Sequence, residues 1–431
     1  MNKQKIAVIG SGISGISASL FLSKKYDVEL FEKNNYLGGH TRTKKIKFQN
    51  DDLNIDTGFI VFNNQNYPDL IEFFNYLNVK VDDSNMSFSI SIKNSDIEYG
   101  SNGFASIFAK KNNFFSIFFW KLLLEIFQLY NQCKKYEQSD NILNSTLEDF
   151  LNNNKYSENL KYFHIYPMIS AIWSCNKNDV KNLPLISFIN FFNNHKLFNF
   201  RNRPKWKYVV GGSHNYIKLI LKQNQFRYKT NKEVKKIIRT NNKVKIIFLD
   251  NKELIFDKII IATHADQALK ILGDPTIKEK EILSKFKYSK NYAYLHSDVD
   301  LMPNRTNVWS SWNFVTKNAY NNSFSLTYWM NLLQNIKSNN NYFVSINPEQ
   351  IPKDYYDQTV FEHPIFNLET LKAQKEINTI QGFQNTWFCG SYFGYGFHED
   401  GIQSSAYISS LLDVSLPWER KINFYNRLQF E

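Results

Sequence analysis

Cysteine is nearly missing from this chain: there are three among 431 residues, Cys133, Cys175 and Cys389. They stand far apart and fit no metal-ligand spacing, which excludes a disulfide framework and a metal centre and points to a reducing compartment. Cys389, between apolar residues and a glycine, reads as a small buried hydrophobe. Nowhere do about twenty apolar residues run together, as a spanning helix requires. No secretory peptide opens the chain, because its first apolar segment breaks at a glycine motif without a cleavage pattern, so a cytoplasmic location is expected. The motifs G-x-S-x-G, H-E-x-x-H, G-x-x-x-x-G-K-[ST] and C-x-x-C are absent, and with them serine-hydrolase, zinc-protease, P-loop and dithiol chemistry. Ser213 follows two glycines but has no base in view, so it is a poor nucleophile.

What is present concentrates in the first forty residues. Lys5-Ile6-Ala7-Val8-Ile9 is a short apolar run of the kind that forms a buried parallel strand. Gly10-Ser11-Gly12-Ile13-Ser14-Gly15 follows at once. The first glycine permits the tight turn, and the second lets a pyrophosphate approach the backbone. The third lets a helix over 14–24 pack on the strand. That helix start, with Ile13 and Ser14, would face phosphates with unpaired amides. Val28-Glu29-Leu30-Phe31 is the second strand. Glu32 closes it at the spacing of a ribose-binding acid, with Lys33 beside it. A carboxylate there repels a 2′-phosphate, so NADP is disfavoured.

Leu37-Gly38-Gly39-His40 then separates NAD from FAD, because a second glycine pair lets the chain double back over the diphosphate. At these residues the chain resembles the flavin-containing amine oxidase and phytoene desaturase superfamily. Where that superfamily usually has arginine after the pair, this chain has His40-Thr41-Arg42, and Arg42 is the nearest arginine for the diphosphate. Asp56-Thr57-Gly58, Trp173-Ser174, Gly211-Gly212-Ser213, Thr327-Tyr328-Trp329 and Cys389-Gly390-Ser391 resemble one bacterial branch of NAD/FAD-binding, amine-oxidase-like flavoproteins. The likeness runs to about Leu411. It implies FAD as cofactor and an α/β fold, a Rossmann-like FAD-binding domain interleaved with an α+β substrate domain.

Strand signals recur in step with that architecture. The segments 1–85, 205–273 and 380–431 read as the cofactor domain, and 86–204 and 274–379 as the substrate domain. Alternation over 86–92 predicts a strand with Phe88, Ile90 and Ile92 on its apolar face. An aromatic-rich helical zone follows, with Phe188, Phe191, Phe192 and Phe198. Packing accounts for most of these rings, and as a set they would also line an apolar tunnel. Residues 244–249 and 254–256 predict a hairpin around Asp250-Asn251. The resemblance places Val234 on the adenine and Ala262 at a cofactor-contacting turn.

Charge is less telling. Lysine and arginine exceed the acids, for a net charge of +12, but the basic residues are scattered and leave no nucleic-acid stripe. Codon bias toward Asn, Lys, Ile, Phe and Tyr is a sufficient cause. The very apolar segment 114–127 carries Lys121 and Glu125, too short and charged to span a bilayer. It reads first as a core helix and second as an interfacial helix touching lipid, a peripheral membrane contact.

The C-terminal motif completes the expected site. A strand ends at Gly390, followed by Ser391 where many relatives carry an acid, so Glu399 or Asp400 are the candidates for that contact. Gly401 and Ile402 would open a final helix whose N-terminus stabilises negative charge on reduced flavin. In the aromatic loop between them, Tyr395 and His398 are candidate catalytic groups, His398 for proton transfer near neutral pH. The resulting expectation is an FAD-dependent oxidoreductase removing hydride from a bulky apolar substrate, foremost a desaturase of a lipid or acyl chain. An amine oxidase with Tyr392, Tyr395 and Trp387 around the flavin is one alternative. A flavin-binding partner of a lipid-modifying enzyme, without turnover, is another.

Overall fold

Runs such as Ile6-Ala7-Val8-Ile9 and Ile259-Ile260-Ile261 have no polar side to turn toward water, so a sheet built from them must be covered on both faces. In the computed structural model, which describes residues 3–95, 97–135, 140–199, 201–240, 242–420 and 427–428, they form the centre of a five-stranded parallel sheet. Its order is Arg227–Lys229, Asp27–Phe31, Lys5–Ile9, Lys258–Ile261 and Thr386–Phe388. Alternate residues serve the two faces. Ile6, Val8, Leu30 and Ile260 pack under the helices Ile13–Leu22 and His398–Leu411. Ala7, Ile9, Phe31 and Ile261 meet Val244, Ile246, Phe248 and Phe256 from a three-stranded antiparallel sheet. Two of its strands, Val244–Phe248 and Glu253–Phe256, are the expected hairpin, with Asn251 at φ +60° in the turn.

A second, seven-stranded sheet runs Tyr355–Ile365, Lys287–His296, Phe343–Ile346, Leu326–Trp329, Trp312–Thr316, Phe88–Ile92, Ile97–Gly100. Only the Trp312–Thr316 and Phe88–Ile92 pair is parallel. Phe88–Ile92 departs from simple alternation because both of its faces are covered: Ser89 and Ser91 are buried too. Each serine hydroxyl finds an acceptor, Asn313 Oδ1 at 2.7 Å and Glu98 Oε1 at 3.0 Å, as burial demands. The helical aromatics pack on one another. Phe188 lies 4.3 Å from Phe192, Phe192 lies 5.1 Å from Phe198, and Trp173 lies 4.7 Å from Phe191, ring centre to ring centre.

The parallel sheet draws its strands from 5–31, 227–261 and 386–388, and the large sheet from 88–100 and 287–365. We propose the two interleaved domains on that grouping; of their last segment, 421–426 and 429–431 lie outside the described residues. The halves are bolted at Asp56, which is fully buried. Its carboxylate accepts from the Ser213 amide at 2.9 Å, the Ser213 hydroxyl at 2.8 Å and Gln334 Nε2 at 3.1 Å, and its own amide donates to Gln334 Oε1 at 2.9 Å.

A second buried charge anchors the cofactor-side sheet. Arg239 ends the Val234–Arg239 strand with no exposed side-chain surface, donates to Glu279 Oε2 at 2.8 Å and pairs with Asp274 at 3.0 Å. Glu279 is also the reciprocal cap of the Ile277–Leu283 helix with Thr276. Glu279→Leu strands a buried guanidinium and uncaps the helix, so urea unfolding should show a loss of about 3–5 kcal/mol.

Candidate functional site

The first strand ends where the chain must turn sharply, and Gly10 takes the turn at φ +96°. A Cβ on Gly15 would stand 1.9 Å from the Gly10 carbonyl oxygen and 3.1 Å from the Ala262 Cβ, so only glycine lets the helix seat on the strand ends. Gly12 is different in kind. Its φ is −61°, open to any residue, and a Cβ there would meet nothing within 4 Å. Open space in front of first-turn amides that lack intrahelical acceptors is what a phosphate requires. The residues therefore fit a pyrophosphate.

Gly38 and Gly39, at φ +125° and +57°, fold back onto this turn. A Cβ on Gly39 would lie 3.1 Å from Gly12 Cα. Glu32 stands at the end of the second strand. Its Oε2 accepts from the Ser11 amide at 2.9 Å and the Ser11 hydroxyl at 2.7 Å, and its Oε1 accepts from the Asn34 amide at 2.9 Å. Fixed in this way, the carboxylate keeps lone pairs for ribose hydroxyls. Val234 is buried at the start of its strand, and the Lys232 amide donates to the Glu32 carbonyl at 2.8 Å. Lys33 is exposed. Gly10, Gly12, Gly39, His40, Ala262 and Ser391 stay partly accessible, while Ile13, Ser14, Gly15, Glu32 and Thr41 are buried behind them.

Several expected contacts are placed otherwise. Arg42 is already paired, forming a two-pronged ion pair with Asp357, so it does not point at the glycine turn as a free cation. The last helix begins at His398, a turn before Gly401, and Gly401 and Ile402 lie inside it. There Gly401 acts as a contact: a Cβ would sit 2.6 Å from Ile13 Cγ2 and 2.8 Å from Ser14 Oγ. The Gly390 amide donates to Ser404 Oγ at 3.0 Å, and Ser391 opens a short 3₁₀ turn. Neither acid takes the role offered to it. The Glu399 carboxylate accepts from the Asp69 and Leu70 amides at 3.0 and 2.9 Å, capping the Pro68–Tyr76 helix. Asp400 pairs with buried Arg427 at 2.9 Å.

His398 and Tyr395 part company. His398 stacks on Phe59 with ring centres 3.7 Å apart, and its Nε2 lies 3.0 Å from Thr41 Oγ1. Burial pushes its pKa down to about 3, so it is neutral and out of range for proton exchange near pH 7. Tyr395 turns the other way, with Tyr67 and Phe397, around the Arg427 guanidinium at 5.5, 5.3 and 5.6 Å. Tyr392 packs on Phe286, and Trp387 lies under Lys258, so Tyr392, Tyr395 and Trp387 form no common cage.

The group that sequence reasoning missed surrounds His40. Its ring stacks on Phe361 at 4.9 Å and meets His363 at 5.2 Å and His264 at 6.3 Å. One ring nitrogen bonds the Glu362 backbone, and Nε2 is shut from solvent with no partner. Burial first, then the neighbouring histidines, hold its pKa well below the usual value, and burial puts His363 at about 4. No local signal links residue 40 to 361–363; only the Tyr355–Ile365 strand brings them together.

Two outcomes check this geometry. Gly15→Ala should fail to give a cooperatively folding protein, while Gly12→Ala should melt within a few degrees of wild type, both by circular dichroism of ligand-free protein. His398 has a depressed folded pKa, so its contribution to stability is present above pH 6.5 and is lost as pH falls toward 3. In His398→Gln the fall in unfolding free energy from pH 7 to pH 5 should therefore be smaller than in wild type by about 2 kcal/mol.

Residues 8–77 match the family described as NAD(P)-binding Rossmann-like domain. No curated protein sequence matches the chain. Among solved structures, a CLA-producing fatty acid isomerase from P. acnes is similar with a TM-score of 0.69 at 14% identity, covering 95% of this chain and 99% of that one. Putrescine oxidase gives 0.67 at 12%, covering 96% and 99%, and cyclohexylamine oxidase from Brevibacterium oxydans gives 0.65 at 13%, covering 95% and 100%. With a Rossmann-like domain at its start and likeness over nearly its whole length to these enzymes, the chain shares their fold.

Proposed function

We propose that this protein is an FAD-dependent oxidoreductase that removes hydride from an uncharged, mostly apolar substrate, with a lipid or acyl chain as the leading class. The open space in front of Gly12, at a helix start closed over by Gly38-Gly39, carries the cofactor reading. The amides of Gly12, Ile13 and Ser14 would hold the diphosphate, with Gly39, His40 and Thr41 above it. Glu32 would take the ribose and the Val234 backbone the adenine. Ala262, Gly390, Ser391, Gly401 and Ile402 would frame the flavin end. Bound there, FAD supplies a hydride acceptor.

The substrate reading rests on the His40 cluster. His40, His363 and His398 are all held neutral by burial, and Phe59 and Phe361 stack on them. These three rings have no formal charge to offer an ionic substrate, and His40 Nε2, shut from solvent, has no hydrogen-bond partner. The fatty acid isomerase shows that the fold can serve a lipid. A second reading is an amine oxidase, since the neutral, ring-lined group at His40 and His398 would equally admit an uncharged amine.

An anaerobic visible spectrum of the purified protein tests both readings. Wild type should carry an oxidised-flavin band that host lipid extract bleaches, and Gly12→Val should fold without flavin. Bleaching by amines alone would shift the assignment to the second reading, and a band no substrate bleaches would favour a flavin-binding partner without turnover. Stoichiometric FAD in Gly12→Val would overturn the cofactor site itself.

A further inference from the structure

Most helices of this protein have one buried face; Ile117–Lys134 has an apolar face on each side. Phe119, Leu122, Ile126 and Leu129 enter the core. Ile117, Trp120, Leu124 and Phe127, spaced i, i+3, i+7 and i+10, point outward at 85, 47, 55 and 51% exposure. Phe115, just before the helix, is 83% exposed and Phe104 is 65% exposed. These side chains form one surface. Phe104 meets Phe108 at 4.6 Å, Phe108 meets Trp120 at 5.2 Å, and Phe114 meets Phe115 at 5.4 Å. Trp120 Nε1 is satisfied by the Phe114 carbonyl at 2.8 Å, so no unpaired polar atom of that ring interrupts the patch.

The segment's own formal charge has one sign. Between Gly100 and Leu124 the sequence has Lys110, Lys111 and Lys121 and no acid, and Lys111 and Lys121 are exposed. Glu125, the next acid, is partly buried and accepts from the Ser157 hydroxyl. Apolar patches of this kind mark contact surfaces. A second copy seated here would bring exposed Lys111 and Lys121 toward their own kind. An anionic bilayer answers both features, since rings and aliphatic side chains enter the headgroup layer while lysines meet phosphates. No helix among the described residues is long and apolar enough to cross a membrane, so the contact would lie along the surface.

We propose that this patch docks the protein on a lipid bilayer rich in anionic headgroups, with Phe115, Ile117, Trp120 and Leu124 inserted and Lys111 and Lys121 at the phosphates. The test is cosedimentation of the full chain with phosphatidylcholine vesicles, with and without about one-third phosphatidylglycerol. Binding should appear on the anionic vesicles and weaken several-fold at high salt or in Lys111→Gln with Lys121→Gln. Phe115→Ser with Ile117→Ser should bind about tenfold more weakly or worse. Because both residues are exposed, the double variant should keep the wild-type melting temperature, which separates lost docking from lost fold. No binding to anionic vesicles, or equal binding by the double variant, overturns the proposal. So does a wild-type dimer in sedimentation that the double variant dissolves without any vesicle binding.

Discussion

Everything near the candidate site depends on three distant segments reaching the start of one helix at van der Waals range. Gly15 must lie on the Gly10 carbonyl and beside Ala262, Gly39 on Gly12, and Gly401 on Ile13 and Ser14. The Gly15 and Gly401 approaches leave no room for a methyl group, and the Gly39 approach is tight at 3.1 Å. The parallel sheet makes this convergence possible, because Lys258–Ile261 is hydrogen-bonded beside Lys5–Ile9 and Thr386–Phe388 beside it in turn, all ending at the same edge. Ligands of open parallel sheets bind at such an edge.

The same constraint explains why the excursions into the large sheet must be tied back. Asp56 sits where the chain leaves the first glycine region, and its bonds reach Ser213 at the next return and Gln334 in the second excursion. Burial lifts its pKa to about 7 despite four hydrogen-bond donors from three residues, Thr43, Ser213 and Gln334. The cost of hiding that carboxyl is offset only while all three partners stay in place. One carboxyl thus couples the chain near the glycine turn to Ser213 and to Gln334.

What the sequence revealed and what it hid divide along a physical line. Contacts made by local order were legible: the strand, the turn, the helix and Glu32 follow one another within a single strand–helix–strand unit. The hairpin at Asp250-Asn251 was legible for the same reason. Contacts set by tertiary burial were not. Ser89 and Ser91 look like the wet side of a strand until a second layer covers them. Arg42 looks free until Asp357, on a strand about three hundred residues away, claims it. Glu399 and Asp400 look like site acids, yet Asp69, Leu70 and Arg427 are their partners. His398 was read as a proton-transfer group, but its protonation was misjudged, because a pKa depends on solvent exclusion that no spacing encodes.

These assignments lead to one electrostatic consequence. Arg42, Glu399 and Asp400 are internally paired, and His40, His363 and His398 are neutral. Among these groups, none offers an unpaired positive charge to a diphosphate, and attraction falls to the amides and partial charge of the Ile13–Leu22 helix start. Backbone dipoles need no side chain to reorganise, and at a half-buried turn they are screened less than exposed lysines. The chain's excess positive charge lies elsewhere, on surfaces such as the Lys111 and Lys121 rim. Fixed dipoles at the helix start and screenable charges on the surface thus answer differently to ionic strength, which weakens the second far more than the first.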